Sequence, residues 1–376
     1  MKAGGRRSRW PVGALVVAAG AGHVLYPACL ALASRGRAPV SPGDPDPWPG
    51  LTVLVPAYGE AGVIGAKVAD LRAQDYPGPL EILVVADGDP ETARAAAGAG
   101  ARVLAPPDRL GKAQGVNLGV GAASHDVVVL TDANNSLGPG SLRALARWFD
   151  DPGVAAVAGE KVEEDGGGES AYWRFESWLK QREVLAMGTT IGLVGELAAV
   201  RREAFRPIPP DVATDDLWTA LDLAGRGLRI AYEPAARAAE PAAGTLGDQW
   251  ERRTRSVSGA LHLLAAHRTW QLGPAGGPVA LQIWGHRLWR YTGGPLAHLA
   301  LVLLALRAAG RSPTARAFLA GHLLALALLG ARARGRSLPG PLAFGPQVLL
   351  LQGVALGGLL RYLRGDRRVR WPTVTR

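Results

Sequence analysis

The residues able to do chemistry fall into five clusters along the 376-residue chain. Val55-Pro56-Ala57-Tyr58-Gly59-Glu60 closes one apolar run, and Ala86-Asp87-Gly88-Asp89-Pro90-Glu91 closes a second. Arg109-Leu110-Gly111-Lys112 opens a helical pattern that continues to Gly119, and Leu130-Thr131-Asp132-Ala133-Asn134 closes a further apolar run. The fifth cluster is split between Thr214-Asp215-Asp216 and Gln249-Trp250-Glu251-Arg252-Arg253-Thr254-Arg255. A carboxylate such as Asp132 offers the hard oxygen that Mg2+ or Mn2+ takes, while the amide oxygen of Asn134 can ligate but brings no charge. Lys112 follows a glycine at a helix opening, where backbone N–H groups and the macrodipole already favour phosphate. The guanidinium groups of Arg252, Arg253 and Arg255 can clamp a diphosphate, and Asp216 can remove a hydroxyl proton. A nucleotide-hydrolase phosphate loop is absent, and no Gly-x-Gly-x-x-Gly follows the first apolar run, which argues against a dinucleotide oxidoreductase.

The elements that must position these groups read as alternating strands and helices. Residues 51–55, 80–85, 101–104 and 126–130 are short β-branched runs separated by helix-length, Ala-rich segments. Such alternation predicts an α/β fold with a parallel sheet, and apolar character on both strand faces predicts helices on both sides. The polar residues lie just past the C-terminal ends of the runs, the edge where open α/β sheets bind ligands. Further on, residues 169–187 and 214–226 read as helices, the second with Thr214 as N-cap. Residues 229–232 read as a strand and 246–270 as a long helix.

The five clusters in this order resemble the family 2 glycosyltransferases of the GT-A fold, the group that includes cellulose, hyaluronan and poly-N-acetylglucosamine synthases. The resemblance covers roughly residues 50–270. It implies a nucleotide-sugar donor, a UDP-sugar foremost, bound by Pro56, Tyr58, Glu60, Asp87, Lys112, Asp132, Arg252 and Arg253. It implies Asp87 on the base, a divalent metal on Asp132 and Asn134, and Asp216 as the catalytic base of an inverting transfer. Two departures stand out. Asn134 occupies the second metal-motif position, and Arg253 stands where the processive synthases carry a tryptophan, which puts long-chain processivity in doubt. Bland readings exist for each residue: Asp87 as a helix cap, Asp132 to Asn134 as a turn, Lys112 as a surface lysine, Asp215 and Asp216 as complements to a helix dipole. Trp173, Trp178 and Trp250 either line an acceptor path or belong to packing.

Composition places this domain beside a membrane. Hydrophobic residues make up 48% of the chain, and the apolar surplus sits at the two ends. Residues 1–37 read as an uncleaved anchor, 38–50 with five prolines as a linker, 51–270 as the catalytic domain, 271–364 as interfacial and transmembrane helices, and 365–376 as a basic tail. The net charge of +10 comes largely from arginines flanking the apolar segments, the bias of cytoplasmic membrane loops, and no basic-aromatic motif speaks for nucleic acid. A single cysteine excludes an internal disulfide and fits a reducing compartment. The expectation is a multi-pass inner-membrane protein with a cytoplasmic catalytic domain and a lipid-linked or growing glycan as acceptor. Basic termini on both sides of four spans conflict with that orientation. The conflict is removed if residues 277–291 form an extra span, if one candidate does not cross, or if the N-terminus is translocated. Rival classes on the same sheet are a nucleotidyltransferase and a non-catalytic membrane scaffold.

Overall fold

The computed structural model describes residues 10–163, 168–240, 245–266, 276–336, 338 and 340–366. The basic N-terminal residues and most of the tail from 365 lie outside them. An eight-stranded sheet runs in the order β3-β2-β1-β4-β7-β6-β8-β5. Its first half is the expected parallel unit: β1 (Leu51–Ala57) pairs in parallel with β2 (Leu80–Ala86) and β4 (Val127–Leu130), and β2 with β3 (Arg102–Leu104). Its second half is mixed. β7 (Ala198–Arg201) runs antiparallel between β4 and β6 (Val154–Glu163), β8 (Arg229–Glu240) is parallel to β6, and the two-residue β5 (Ser136–Leu137) is antiparallel to β8. The sequence reading missed β5, β6 and β7 and cut β8 short, because Ala-rich strands such as Val154–Ala158 and Ala198–Val200 lack the β-branched density that marks the first half.

Alternation along the strands splits the core into two layers. Leu54, Leu83, Val85 and Val128 face α5 (Lys112–Ala122), α8 (Asp215–Gly225) and α9 (Leu246–Ala266). Val53, Val55, Val84 and Val129 face α3 (Ile64–Arg72), α4 (Pro90–Gly98) and α6 (Ser141–Arg147) on the other side. The expected helix at 169–187 is α7 (Gly168–Met187). Thr214 sits at the N-cap position of α8, yet its hydroxyl makes no capping bond; the Asp216 carboxylate accepts from the Leu217 N–H at 2.7 Å instead.

Among the described residues, four helices are long and apolar enough to cross a membrane: Val12–Ala33, Gly277–Ala308, Pro313–Ala333 and Leu342–Leu363. Residues 277–291 therefore add no separate span. They form the first part of the Gly277–Ala308 helix, which passes through a π-turn at Ile283–Leu288 and bends at Thr292, beside the Gly293-Gly294 pair. The first helix lies alongside, with the Trp289 indole donating to the Ala18 carbonyl at 2.7 Å. Helix Gly340–Leu363 presents Gly353, Gly357 and Gly358 to Trp250, Thr254 and Val257 of α9, so the backbones approach closely. Arg361 adds an ion pair to Glu251 at 2.6 Å.

One glycine fixes how α5 reaches the active edge. A Cβ on Gly119 would stand 2.3 Å from the Leu54 side chain, so α5 seats against β1 only because that position is bare. Gly119→Val is expected to lower unfolding free energy by about 1–3 kcal/mol, the cost of overpacking a filled core, as measured by denaturation in detergent.

Candidate functional site

The parallel half of the sheet turns its strand ends to one edge, and the loops there carry the anticipated groups. Asp87 follows β2 and is 4% exposed; its two carboxylate oxygens accept the N–H groups of Leu110 and Gly111 at 2.6 and 2.8 Å. This bond draws the Arg109-to-Lys112 segment across the edge and starts α5 at Lys112. Gly111 carries it at φ +93°, a conformation other residues avoid. Helix capping, the bland reading of Asp87, falls to Asp89, which accepts from the Glu91 and Thr92 N–H groups at 3.0 and 3.2 Å. Tyr58, after β1, holds the Arg109 guanidinium 3.7 Å above its ring.

At the end of β4, Asp132 accepts from Lys112 Nζ at 2.7 Å. Burial raises the Asp132 carboxyl, and the charges of Glu196 and Asp215 raise it further against the pull of Lys112. Burial opposes the charge on Lys112, but Asp132, Asp215 and Glu196 outweigh it and hold the ammonium firmly protonated. Both shifts express a local excess of negative charge. Asp216, at the start of α8, is pushed up to about 7 by burial and by adjacent Asp215. A carboxylate poised there suits proton removal near neutrality.

Three residues that the sequence reading did not single out complete this edge. Lys161 of β6 reaches Glu196 at 2.5 Å and also bonds Glu240, at the end of β8, with its ammonium 4.7 Å over the Trp173 ring. Burial would raise Glu196, but Lys161 draws it down to about 2. Glu240 accepts the Asn134 amide N–H at 2.9 Å and lies 3.5 Å from Arg252, so one carboxylate ties the metal-motif asparagine to the arginine cluster. Arg253 stacks 4.3 Å over Tyr172. No spacing signal marks Lys161, Glu196 or Glu240, because each comes from a strand or loop the motifs do not include.

A single cavity of 1370 Å³ gathers Pro56, Tyr58, Glu60, Asp87, Lys112, Asp132, Asn134, Asp216, Arg252 and Arg253. Trp173 also lines it, whereas Trp178 stacks on Phe175 and Trp250 lies against Gly353 and Gly357. Among the described residues no three His, Cys, Asp or Glu side chains form a metal cage. The donor set fits a Mg2+- or Mn2+-type site of one or two protein oxygens completed by ligand phosphates, and the excess negative charge at Asp132 favours a cation there.

The mixed sheet and the loops at its edge have the layout of the GT-A fold. The model for glycosyl transferase family 2 matches residues 52–208, the first part of the α/β domain. An N-acetylglucosaminyltransferase of Rhizobium meliloti (strain 1021) is 30% identical over 256 residues, which cover 59% of this chain and 60% of that protein. A poly-beta-1,6-N-acetyl-D-glucosamine synthase of Staphylococcus aureus (strain MSSA476) is 24% identical over 239 residues, 58% of this chain and 56% of that one. The chain thus spans about three fifths of the curated relatives it matches. The solved mannosyltransferase PcManGT from Pyrobaculum calidifontis, in complex with GDP-Man and Mn2+, superposes with a TM-score of 0.75 at 26% identity, covering 95% of this chain and 99% of that one.

Removing the cation at Lys161 leaves Glu196 and Glu240 facing each other under cover. Lys161→Met is expected to cost about 3–5 kcal/mol of stability, with Lys161→Arg retaining most of it, as read by chemical denaturation. An unchanged midpoint for Lys161→Met would show that the two carboxylates relax to solvent.

Proposed function

We propose that this protein transfers a sugar, with inversion, from a nucleotide diphosphate sugar to an acceptor reached from the membrane. The observation that carries this reading is the continuity of the cavity. Asp132 and Asp216 line one part of it, and His23, Arg290 and Val354, from three of the four apolar helices, line another. Asp87 and the Tyr58–Arg109 stack bound the place for the base, and Lys112 with Arg252 and Arg253 faces the diphosphate. Asp132 and Asn134 would hold the divalent cation, which when bound supplies positive charge to the departing diphosphate. Asp216 takes the proton from the acceptor hydroxyl, on the face opposite the leaving group. The relatives named N-acetylglucosaminyltransferase support a donor carrying N-acetylglucosamine, read here as its UDP derivative. A GDP-sugar is the second reading, favoured by the GDP-Man complex of the structural neighbour.

Detergent-purified protein supplied with membrane lipid extract and a panel of UDP- and GDP-sugars is expected to release nucleoside diphosphate only with Mg2+ or Mn2+. Asp216→Asn should abolish release while nucleotide binding persists. Because Asp216 must be ionised to act and sits at about 7, kcat/KM should climb through pH 7 and fall about tenfold per unit below it. Release that ignores both the metal and Asp216 would sink the transferase reading.

The catalytic domain is assigned to the cytoplasmic face of the inner membrane, where nucleotide sugars are made. Four crossings then put both termini on the opposite face, against the usual positive-inside tendency. A reporter enzyme fused after Arg376 and active only outside the cytoplasm should be active. An inactive fusion would mean that one apolar helix lies along the interface.

A further inference from the structure

One charged side chain stands where the fold asks for an apolar one. The buried face of α3 reads Ile64, Lys67, Val68 and Leu71, the helical stripe that packs against the sheet. Lys67 is 2% exposed and is not among the residues lining the cavity. An ammonium taken out of water costs several kcal/mol unless its donors and its charge are met. Three acceptors meet this one. Nζ donates to Asn135 Oδ1 at 2.7 Å and to the Asn135 carbonyl at 3.1 Å, and an Asp70 carboxylate oxygen lies 3.6 Å away. Burial pulls the ammonium down to about 8, and the charges of Asp70 and Asp132 oppose that pull, so Lys67 is charged at neutral pH.

What Lys67 grips is the segment between β4 and β5 that carries Asp132 and Asn134. Asn135 is 5% exposed, and its amide nitrogen donates to the Glu196 carbonyl at 3.0 Å. The Thr131 hydroxyl lies within hydrogen-bond distance of Asn135 Oδ1 and of the same carbonyl, at 3.1 and 2.9 Å. One turn along α3 from Lys67, Asp70 accepts the Leu137 N–H at 3.0 Å. The segment is therefore held from behind at residues 131, 135 and 137, while Asp132 and Asn134 line the cavity. A cation with only one or two protein ligands depends on the groups that hold those ligands in place. Resting on the transferase reading above, we infer that Lys67 is a positioning residue for the divalent cation: through Asn135 it fixes the backbone from Asp132 to Asn134, so that both side chains are set for the cation before the donor arrives. Lys67 itself touches neither the cation nor the donor.

The test is binding, which needs no turnover. Full-length protein in neutral detergent is titrated with Mn2+ in the presence of UDP or GDP, and with each nucleotide alone under chelator, following tryptophan fluorescence. Lys67→Met keeps the length of the side chain and removes its donors. It should weaken the apparent Mn2+ affinity about 10- to 100-fold, the usual loss when a group supporting a metal ligand is removed, and leave binding under chelator unchanged. Lys67→Arg should recover part of the loss, and Asn135→Ala should reproduce it from the other side of the contact. Unchanged Mn2+ affinity in Lys67→Met would overturn the inference. Equal losses with and without the cation would overturn it too, since damaged packing does not distinguish the two. Should the variants fail to fold, hydrogen exchange in the unaltered protein decides: the amides of residues 131–137 should exchange slowly without ligand, and protection that appears only with Mn2+ and nucleotide would overturn the inference. Nucleotide binding that ignores Mn2+ in the unaltered protein would instead sink the metal-dependent transferase reading on which the inference rests.

Discussion

The balance of charge along the carboxyl edge of the sheet is the constraint on which this structure depends. Asp132, Glu196, Asp215, Asp216 and Glu240 converge there from the ends of three strands and the start of one helix. They are tolerable together only because Lys112 and Lys161 stand between them. Each lysine also fixes geometry. Lys112 is held at the first residue of α5 by the turn that Asp87 anchors, and Lys161 is gripped by two carboxylates under the Trp173 ring. The residual negative charge has a use, since it is where a metal and a diphosphate would come to rest. Burial, with the adjacent Asp215 charge added to it, keeps the proton on Asp216 up to about pH 7, which a lone surface aspartate would not do.

The membrane-facing helices extend this arrangement. A buried polar network joins them to the catalytic domain, with the Tyr26 hydroxyl and His286 both on Glu183, at 2.8 and 2.7 Å, and Arg290 on Glu176. Polar groups buried in such numbers require mutual satisfaction, so the first helix and the Gly277–Ala308 helix are seated against α7 in a fixed relation. On the far side of the cavity, the glycine stripe of helix Gly340–Leu363 lets α9, which carries Arg252 and Arg253, lie close. The apolar helices therefore serve as walls of the cavity.

Much of this was legible in the sequence. The first four strands, α7, α8, α9 and the order of the motifs followed from apolar runs and from residue types at the ends of those runs. All the residues proposed for the site then met in one cavity, because strand ends in a parallel unit share an edge. The helical reading of residues 277–291 as a possible extra span failed, since length and hydropathy cannot tell a helix that continues from one that turns back. Trp178 and Trp250 went to packing, because a helix position does not state which face meets the site.

The sequence by itself determined the fold class and the types of group at the carboxyl edge of the sheet, since those depend on local pattern and on motifs within single loops. Only the tertiary structure decided that Lys161, Glu196 and Glu240 join the site and that Asp89 rather than Asp87 caps α4. Those facts are set by contacts between strands and helices far apart in the chain. Burial and neighbouring charge, which govern what such groups do, exist only once the chain has folded.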